Sequence, residues 1–196
     1  VTTPWSHLGE AFLRDDSDWA IGQGPDAPDR QILREILEGE APCSILDVGC
    51  GTGITLDAIV GVDDVAYTGL DYTPEFIEAC RARYPGASFI CDDLYNLIFR
   101  DPETFDVVAT RGVLEHVTNP LMAFQILYRL AARVLVVAFF ISPGEEETEV
   151  TDDGFIQRRC DRLALMNAIH AARARHTISE YEHAGQQWSV WQVWRP

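Results

Sequence analysis

The chain has no lysine; all 15 of its basic side chains are arginine. That absence excludes a P-loop lysine, a Schiff-base lysine and a lysine general base. Long apolar runs are missing too. The longest, residues 134–141, has the length of a strand, well short of the ~18 residues that a membrane span needs. Residues 1–19 are mixed and carry several acids, so no secretory signal is expected there. Cysteine is sparse and odd in number: Cys43, Cys50, Cys80, Cys91 and Cys160, with no C-x-x-C pair. The expectation is scattered reduced thiols, a cytoplasmic setting and no zinc site. Positive charge is outnumbered, giving a formal charge of −16. Such a field repels phosphate backbones, so neither nucleic acid nor membrane is an expected partner.

What is present reads as one domain over residues 1–196, a helical N-terminal segment or lid (1–40) before a core (41–196). Short β-rich runs at 44–48, 65–70, 87–91, 105–109 and 133–141 alternate with amphipathic segments. Pro74 and Pro120 each stand at the first turn of a helix, reaching to about Tyr84 and about Ala132. A helix over 28–38 precedes the first strand, with Asp26 as a cap and Gly39 closing it. Residues 161–175 read as helix, and 176–183 and 188–194 as antiparallel strands across a short turn, 184–187. Trp188 and Trp194 fall on one face of the last strand and Trp191 on the other, a packing pattern rather than a binding cage. Residues 15–29 and 142–153 carry the least pattern. The alternation predicts an α/β fold: a doubly wound, mostly parallel sheet with helices on both faces.

One stretch carries the most chemistry: ILDVGCGTG, residues 45–53. An apolar run ends on an acid, and glycines follow at every second position, which lets a ligand approach backbone closely. Without lysine this is no P-loop. A dinucleotide loop requires Gly or Ala where this chain has Ile54. The remaining pattern is G-x-G-x-G after an acid. TGLDYTPEFIEAC, FICDDLYNLIF and FDVVATRGVLEHVTNP follow in order. With these four motifs the sequence resembles the class I S-adenosylmethionine-dependent methyltransferases, from about Ala41 to Phe140 and more weakly beyond.

The resemblance implies a Rossmann-like sheet of seven strands with strand 7 antiparallel, and S-adenosylmethionine as cofactor. It implies Gly49, Cys50, Gly51 and Gly53 against the amino acid end, with Asp47 ordering the loop or accepting from the ammonium. Asp71 lies 20 residues beyond Gly51, the interval at which a carboxylate after strand 2 reaches ribose hydroxyls. Asp92 is placed to accept from the adenine amine, and the backbone of Asp93 to contact the ring. Tyr72 and Leu94 flank it.

The loop 110–119 is expected to face the methyl group and holds Arg111, Glu115 and His116. His116 is the candidate general base, since a neutral imidazole at pH 7 suits that task; the other reading is a hydrogen bond within the loop or to the cofactor. Arg111 and Glu115 complete the candidate catalytic set, with Arg111 also a cofactor contact. Some relatives hold a divalent ion with Glu-x-x-Glu-His, but here Gly112 stands at the first position, so no metal is expected. Trp5, His7 and Trp19 belong to the lid segment. The acidic stretch 144–154 is a solvated loop or a lure for a cationic acceptor. The acceptor is expected to be a small molecule. Rival readings are methylation of a protein side chain and a non-catalytic partner subunit that binds the same cofactor.

Overall fold

The computed structural model describes residues 24–99, 104–140, 148–150, 156–158, 161–183 and 186–196. Trp5, His7, Trp19 and most of the acidic stretch 144–154 lie outside these residues. In chain order the elements are α1 (Pro28–Glu40), β1 (Cys43–Val48), α2 (Ile54–Ala58), β2 (Val65–Asp71), α3 (Pro74–Arg83), β3 (Ser88–Cys91), a 3-10 turn (Leu94–Phe99), β4 (Phe105–Arg111) and a second 3-10 turn (Leu114–His116). Then come α4 (Pro120–Leu130), β5 (Ala131–Phe140), β6 (Thr148–Val150), β7 (Ile156–Arg158), α5 (Arg162–Ala171), β8 (Arg175–His183) and β9 (Gln186–Trp194).

Seven strands form one sheet in the order β3-β2-β1-β4-β5-β9-β8. The first five run parallel, and β9 is antiparallel to both β5 and β8. This is the Rossmann-like sheet expected from the alternation, with a single reversed strand. Its core has two layers. Leu33 and Leu37 of α1, Ile59 after α2, and Ile77 and Cys80 of α3 cover one face. Leu94, Leu97, Phe124, Leu127, Leu165 and Ile169 cover the other. The tryptophans of β9 alternate as expected: Trp188 packs in the first layer and Trp191 in the second.

Local sequence explains most boundaries. Pro28, Pro74 and Pro120 each open a helix, where a missing N–H costs nothing. Asn119 Oδ1 accepts from Met122 N at 2.9 Å, and Asp161 Oδ1 from Ala164 N at 2.9 Å. Some expectations need correction. Asp26 does not cap α1; Ala27 holds that place without a side-chain cap. Gly39 does not close it either: the helix runs on to Glu40 and stops at Ala41, which is extended. A residue before proline is steered out of the helical region, and Pro42 follows. Helix α4 ends at Leu130 because Ala131 already pairs with Phe105 in the sheet. Helix α5 stops at Ala171, short of Arg175. Part of the stretch 142–153 is regular: β6 pairs antiparallel with β7, Val150 opposite Ile156. Thr148, Val150 and Ile156 are β-branched, and such side chains suit a strand.

The order β2-β1-β4-β5 makes the chain cross the sheet between β3 and β4. A crevice therefore opens beyond the carboxyl ends of β1 and β4, the place where open α/β sheets receive ligands. Among the described residues no helix is long and apolar enough to cross a membrane.

Candidate functional site

A cavity of about 410 Å³ lies at that crevice, within the range of small-molecule sites. Its floor is the glycine loop. Gly49 N and Cys50 N both donate to Leu70 O, at 2.7 and 3.1 Å, and so tie the loop to β2. Gly49 has φ +74°, and a Cβ there would come within 2.2 Å of Val113 Cγ2. Gly51 has φ +53°, and a Cβ there would meet nothing within 4 Å. The first glycine is thus fixed by packing against the loop after β4. The second keeps the backbone bare toward the cavity that it lines.

The acids do more structural work than sequence alone reveals. Asp71 is 7% exposed; its Oδ2 accepts from Gly51 N at 3.0 Å and its Oδ1 from Thr73 N at 2.9 Å. It braces the loop while lining the cavity. Asp47 accepts from Tyr67 O–H at 2.7 Å and is buried at the end of β1. Burial pushes both carboxyls above their ordinary range, against the opposing pull of those hydrogen bonds. Asp92 Oδ1 accepts from Asp93 N at 2.9 Å and Asn96 Nδ2 at 2.7 Å. The Asp93 N–H is therefore engaged by its neighbour, and Asp93 Oδ1 caps the following 3-10 turn through Tyr95 N at 2.8 Å. Tyr72, Asp92, Asp93 and Leu94 all line the cavity, as do Cys50, Arg111 and His116.

Two expected site residues are not in the cavity wall. Gly53 takes φ +81° as the residue before α2, and a Cβ there would lie 2.7 Å from Tyr84 Cε2. Close packing of the loop against Cys80 of α3 and the Tyr84 ring after it requires glycine here. Glu115 points away from the cavity. It is 1% exposed, and its Oε1 accepts from Phe140 N at 2.5 Å. The carboxylate ties the turn after β4 to the end of β5, while its Oε2 has no partner among the described residues. Among the described residues no three His, Cys, Asp or Glu side chains converge as ligands for a metal.

Burial raises the Glu115 pKa from 4.5 to about 7, against the backbone hydrogen bonds and the Arg111 charge. The folded state holds this proton more tightly than the unfolded chain, so the contribution is present in full below about pH 4.5 and lost as pH rises through about 7. Glu115→Gln, neutral at every pH, is expected to be more stable than the parent at pH 8, by roughly 3 kcal/mol at most. The gain should vanish near pH 4.5. Denaturant melts of both proteins across this range check it; a gain independent of pH would assign the effect to packing.

The structure adds residues that sequence reading did not single out. Arg30 of α1 lines the cavity, with Arg30 Nη1 donating to Gly24 O at 3.1 Å. Burial and the nearby Arg111 charge pull its pKa down to about 10. Asp29 beside it pairs with Arg111 Nε at 2.5 Å and accepts from Tyr181 O–H at 2.6 Å. Trp188, read as packing alone, is 1% exposed yet also forms part of the cavity wall, with Phe140. Arg111 Cζ lies 4.0 Å above its ring.

Comparison with known proteins agrees with this geometry. Residues 46–134 match a family described as a methyltransferase domain. The chain is 27% identical over 179 residues to norajmaline N-methyltransferase of Rauvolfia serpentina, covering 81% of this chain and 61% of that protein. It is 27% identical over 145 residues to the ubiquinone biosynthesis O-methyltransferase of Xylella fastidiosa, covering 69% of this chain and 54% of that one. The chain thus spans little more than half the length of these relatives. Among solved structures, a 1,6-didemethyltoxoflavin-N1-methyltransferase from Burkholderia thailandensis, with S-adenosylhomocysteine bound, superposes with a TM-score of 0.71 at 16% identity. That match covers 97% of this chain and 86% of the other, and at such identity it shows the shared fold.

Proposed function

We propose that the chain is a class I S-adenosylmethionine-dependent methyltransferase, as its match to a methyltransferase domain over residues 46–134 supports, and that it moves the cofactor's methyl group to a small-molecule acceptor by in-line displacement. The observation that carries this reading is the glycine loop at the switch point of the sheet, with Gly51 bare on a cavity that Asp71 and Asp92 also line. The residues fit such a cofactor. A Cβ at Gly51 would meet no protein atom within 4 Å, and Gly51 lines the cavity, which leaves its backbone open to a ligand. Around it stand acceptors for hydroxyls and an amine, an arginine, Arg30, for a carboxylate, and no lysine to grip a triphosphate.

In this reading Gly49, Cys50, Gly51 and Arg30 receive the amino acid end. Asp71 receives the ribose hydroxyls, and Asp92 the adenine amine, with Tyr72 and Leu94 flanking the ring. When bound, the cofactor supplies an electrophilic methyl on a sulfonium. The chain's own work is then alignment and exclusion of water, which together are able to lower a barrier by ~7–11 kcal/mol. Phe140, Trp188, Val113 and Val117 give the opposite wall an apolar surface. His116 stands at the rim, placed to take a proton from an acceptor that arrives protonated.

Titration calorimetry with S-adenosylhomocysteine is expected to give a micromolar dissociation constant, on the order of −8 kcal/mol. Turnover with small acceptors is expected to release the same compound. No heat with either form of the cofactor, together with a response to NAD or ATP, would sink the proposal. Binding without turnover over a broad acceptor set would favour the non-catalytic subunit.

A further inference from the structure

Apart from Arg30 of α1, the residues assigned to the cofactor sit at the ends of β1, β2 and β3, one half of the crevice. The other half, above β4, β5 and β9, is furnished differently. Arg111 closes β4 and pairs with Ala138 of β5; Trp188 of β9 pairs with Phe140, two residues further along β5. Neighbouring strands are ~4.8 Å apart. Arg111 Cζ lies 4.0 Å from the centre of the Trp188 ring, and the far edge of that indole reaches back to within 4.0 Å of where a Cβ on Gly112 would stand, so arginine and indole meet beside the end of β4.

That guanidinium is held but not saturated. Asp29 takes Nε at 2.5 Å, and Tyr181 O–H holds the other Asp29 oxygen at 2.6 Å. Trp188 takes one flat face, and Nη2 has no partner among the described residues. Asp29 and Arg111 are 4% and 12% exposed. Buried guanidinium N–H groups are normally satisfied, and the two-nitrogen edge of arginine matches a carboxylate in a bidentate pair. Arg111 lines a cavity whose wall includes Phe140 and Trp188.

Resting on the methyltransferase reading above, we propose that the acceptor carries a carboxylate, which Arg111 receives through its Nη edge over Trp188, and that Asp29, braced by Tyr181, is the residue that positions Arg111. The net charge of −16 opposes an anionic acceptor at long range. Within the cavity, however, Arg111 stands beside an indole on this wall, and a short-range ion pair outweighs a field screened over ~8 Å.

The test uses the full chain saturated with S-adenosylhomocysteine and a matched pair of probes, 4-hydroxybenzoate and 4-hydroxybenzamide, followed by tryptophan fluorescence. The acid is expected to bind roughly tenfold or more tightly than the amide, as a charge-assisted bond at a desolvated site implies. Arg111→Gln should bring that ratio to about one, Arg111→Lys should retain part of it, and Asp29→Asn should lower it while S-adenosylhomocysteine affinity stays near the parent value. Equal binding of the two probes, binding of neither, or a ratio that survives in Arg111→Gln overturns the proposal. So does an acid that displaces S-adenosylhomocysteine, since the seat would then belong to the cofactor's own carboxylate. If the parent protein does not bind S-adenosylhomocysteine at all, the methyltransferase reading fails instead.

Discussion

Replacing Asp71 with alanine is expected to weaken S-adenosylhomocysteine binding by roughly 10²–10³-fold, because two kinds of bond are lost together. The first kind is to the ligand: a carboxylate able to accept both ribose hydroxyls contributes charge-assisted bonds of about 1.5–3 kcal/mol each. The second kind is to the loop. Asp71 takes the Gly51 N–H at 3.0 Å and the Thr73 N–H at 2.9 Å. Without it, the backbone that must stay bare toward the ligand loses its brace, and two donors at a buried position lose their acceptor. Their loss costs about 1–3 kcal/mol apiece where no water replaces it, so the variant is also expected to melt earlier. Asp71→Asn separates the two contributions. Its one carbonyl oxygen can keep a single backbone bond, so stability should recover more than affinity does. Calorimetry on both variants, with denaturant melts alongside, checks this. Unchanged affinity in Asp71→Ala would make Asp71 a loop brace and nothing more.

The two roles of Asp71 illustrate what sequence makes legible. Its position was readable because the loop, the strand and the acid are close in the chain, and each carries a local signal: bare glycines, a β-rich run, a proline opening the next helix. The sheet was readable for the same reason, since every crossover is built from such signals. Contacts that bridge distant segments were not. Arg111 and Asp29 are 82 residues apart, and Tyr181 and Asp29 are 152 apart. No periodicity in α1 announces that two charged residues in its first turn are buried against the ends of β4 and β8. The sequence marks Trp188 only as a packing residue because alternation along β9 sorts faces, not ends; whether an inward residue also borders a cavity depends on how far the strand extends past its neighbours. Glu115 and His116 show the limit at single-residue scale. Adjacent in a 3-10 turn, they differ in exposure because Leu114 and Glu115 are drawn inward while His116 is left at the rim.

That turn frames the sharpest test of catalysis. His116→Ala is expected to reduce turnover by ~10²–10⁴-fold, the usual span for a lost general base, while leaving S-adenosylhomocysteine affinity nearly intact. Leu114 and Glu115 are 0% and 1% exposed and pin the turn from below, and His116 N donates to Val113 O at 2.9 Å, a backbone bond that alanine also makes. The turn should therefore outlast removal of the imidazole. The parent rate is expected to rise with pH across the range in which imidazoles lose their proton. Glu115 titrates in the same range, its pKa raised to about 7, so the profile of the parent protein cannot assign the limb to either group. Glu115→Gln resolves this. It keeps an acceptor for the Phe140 N–H and removes the titration, so an ascending limb that persists in Glu115→Gln and disappears in His116→Ala belongs to His116. The reverse pattern would mean that ionisation of Glu115 shifts the end of β5 and with it the Phe140 wall. A parallel loss of rate and cofactor affinity in His116→Ala would place the imidazole against the cofactor. A rate that survives the substitution at saturating acceptor would leave alignment as the whole of catalysis, with the acceptor's proton passing directly to water.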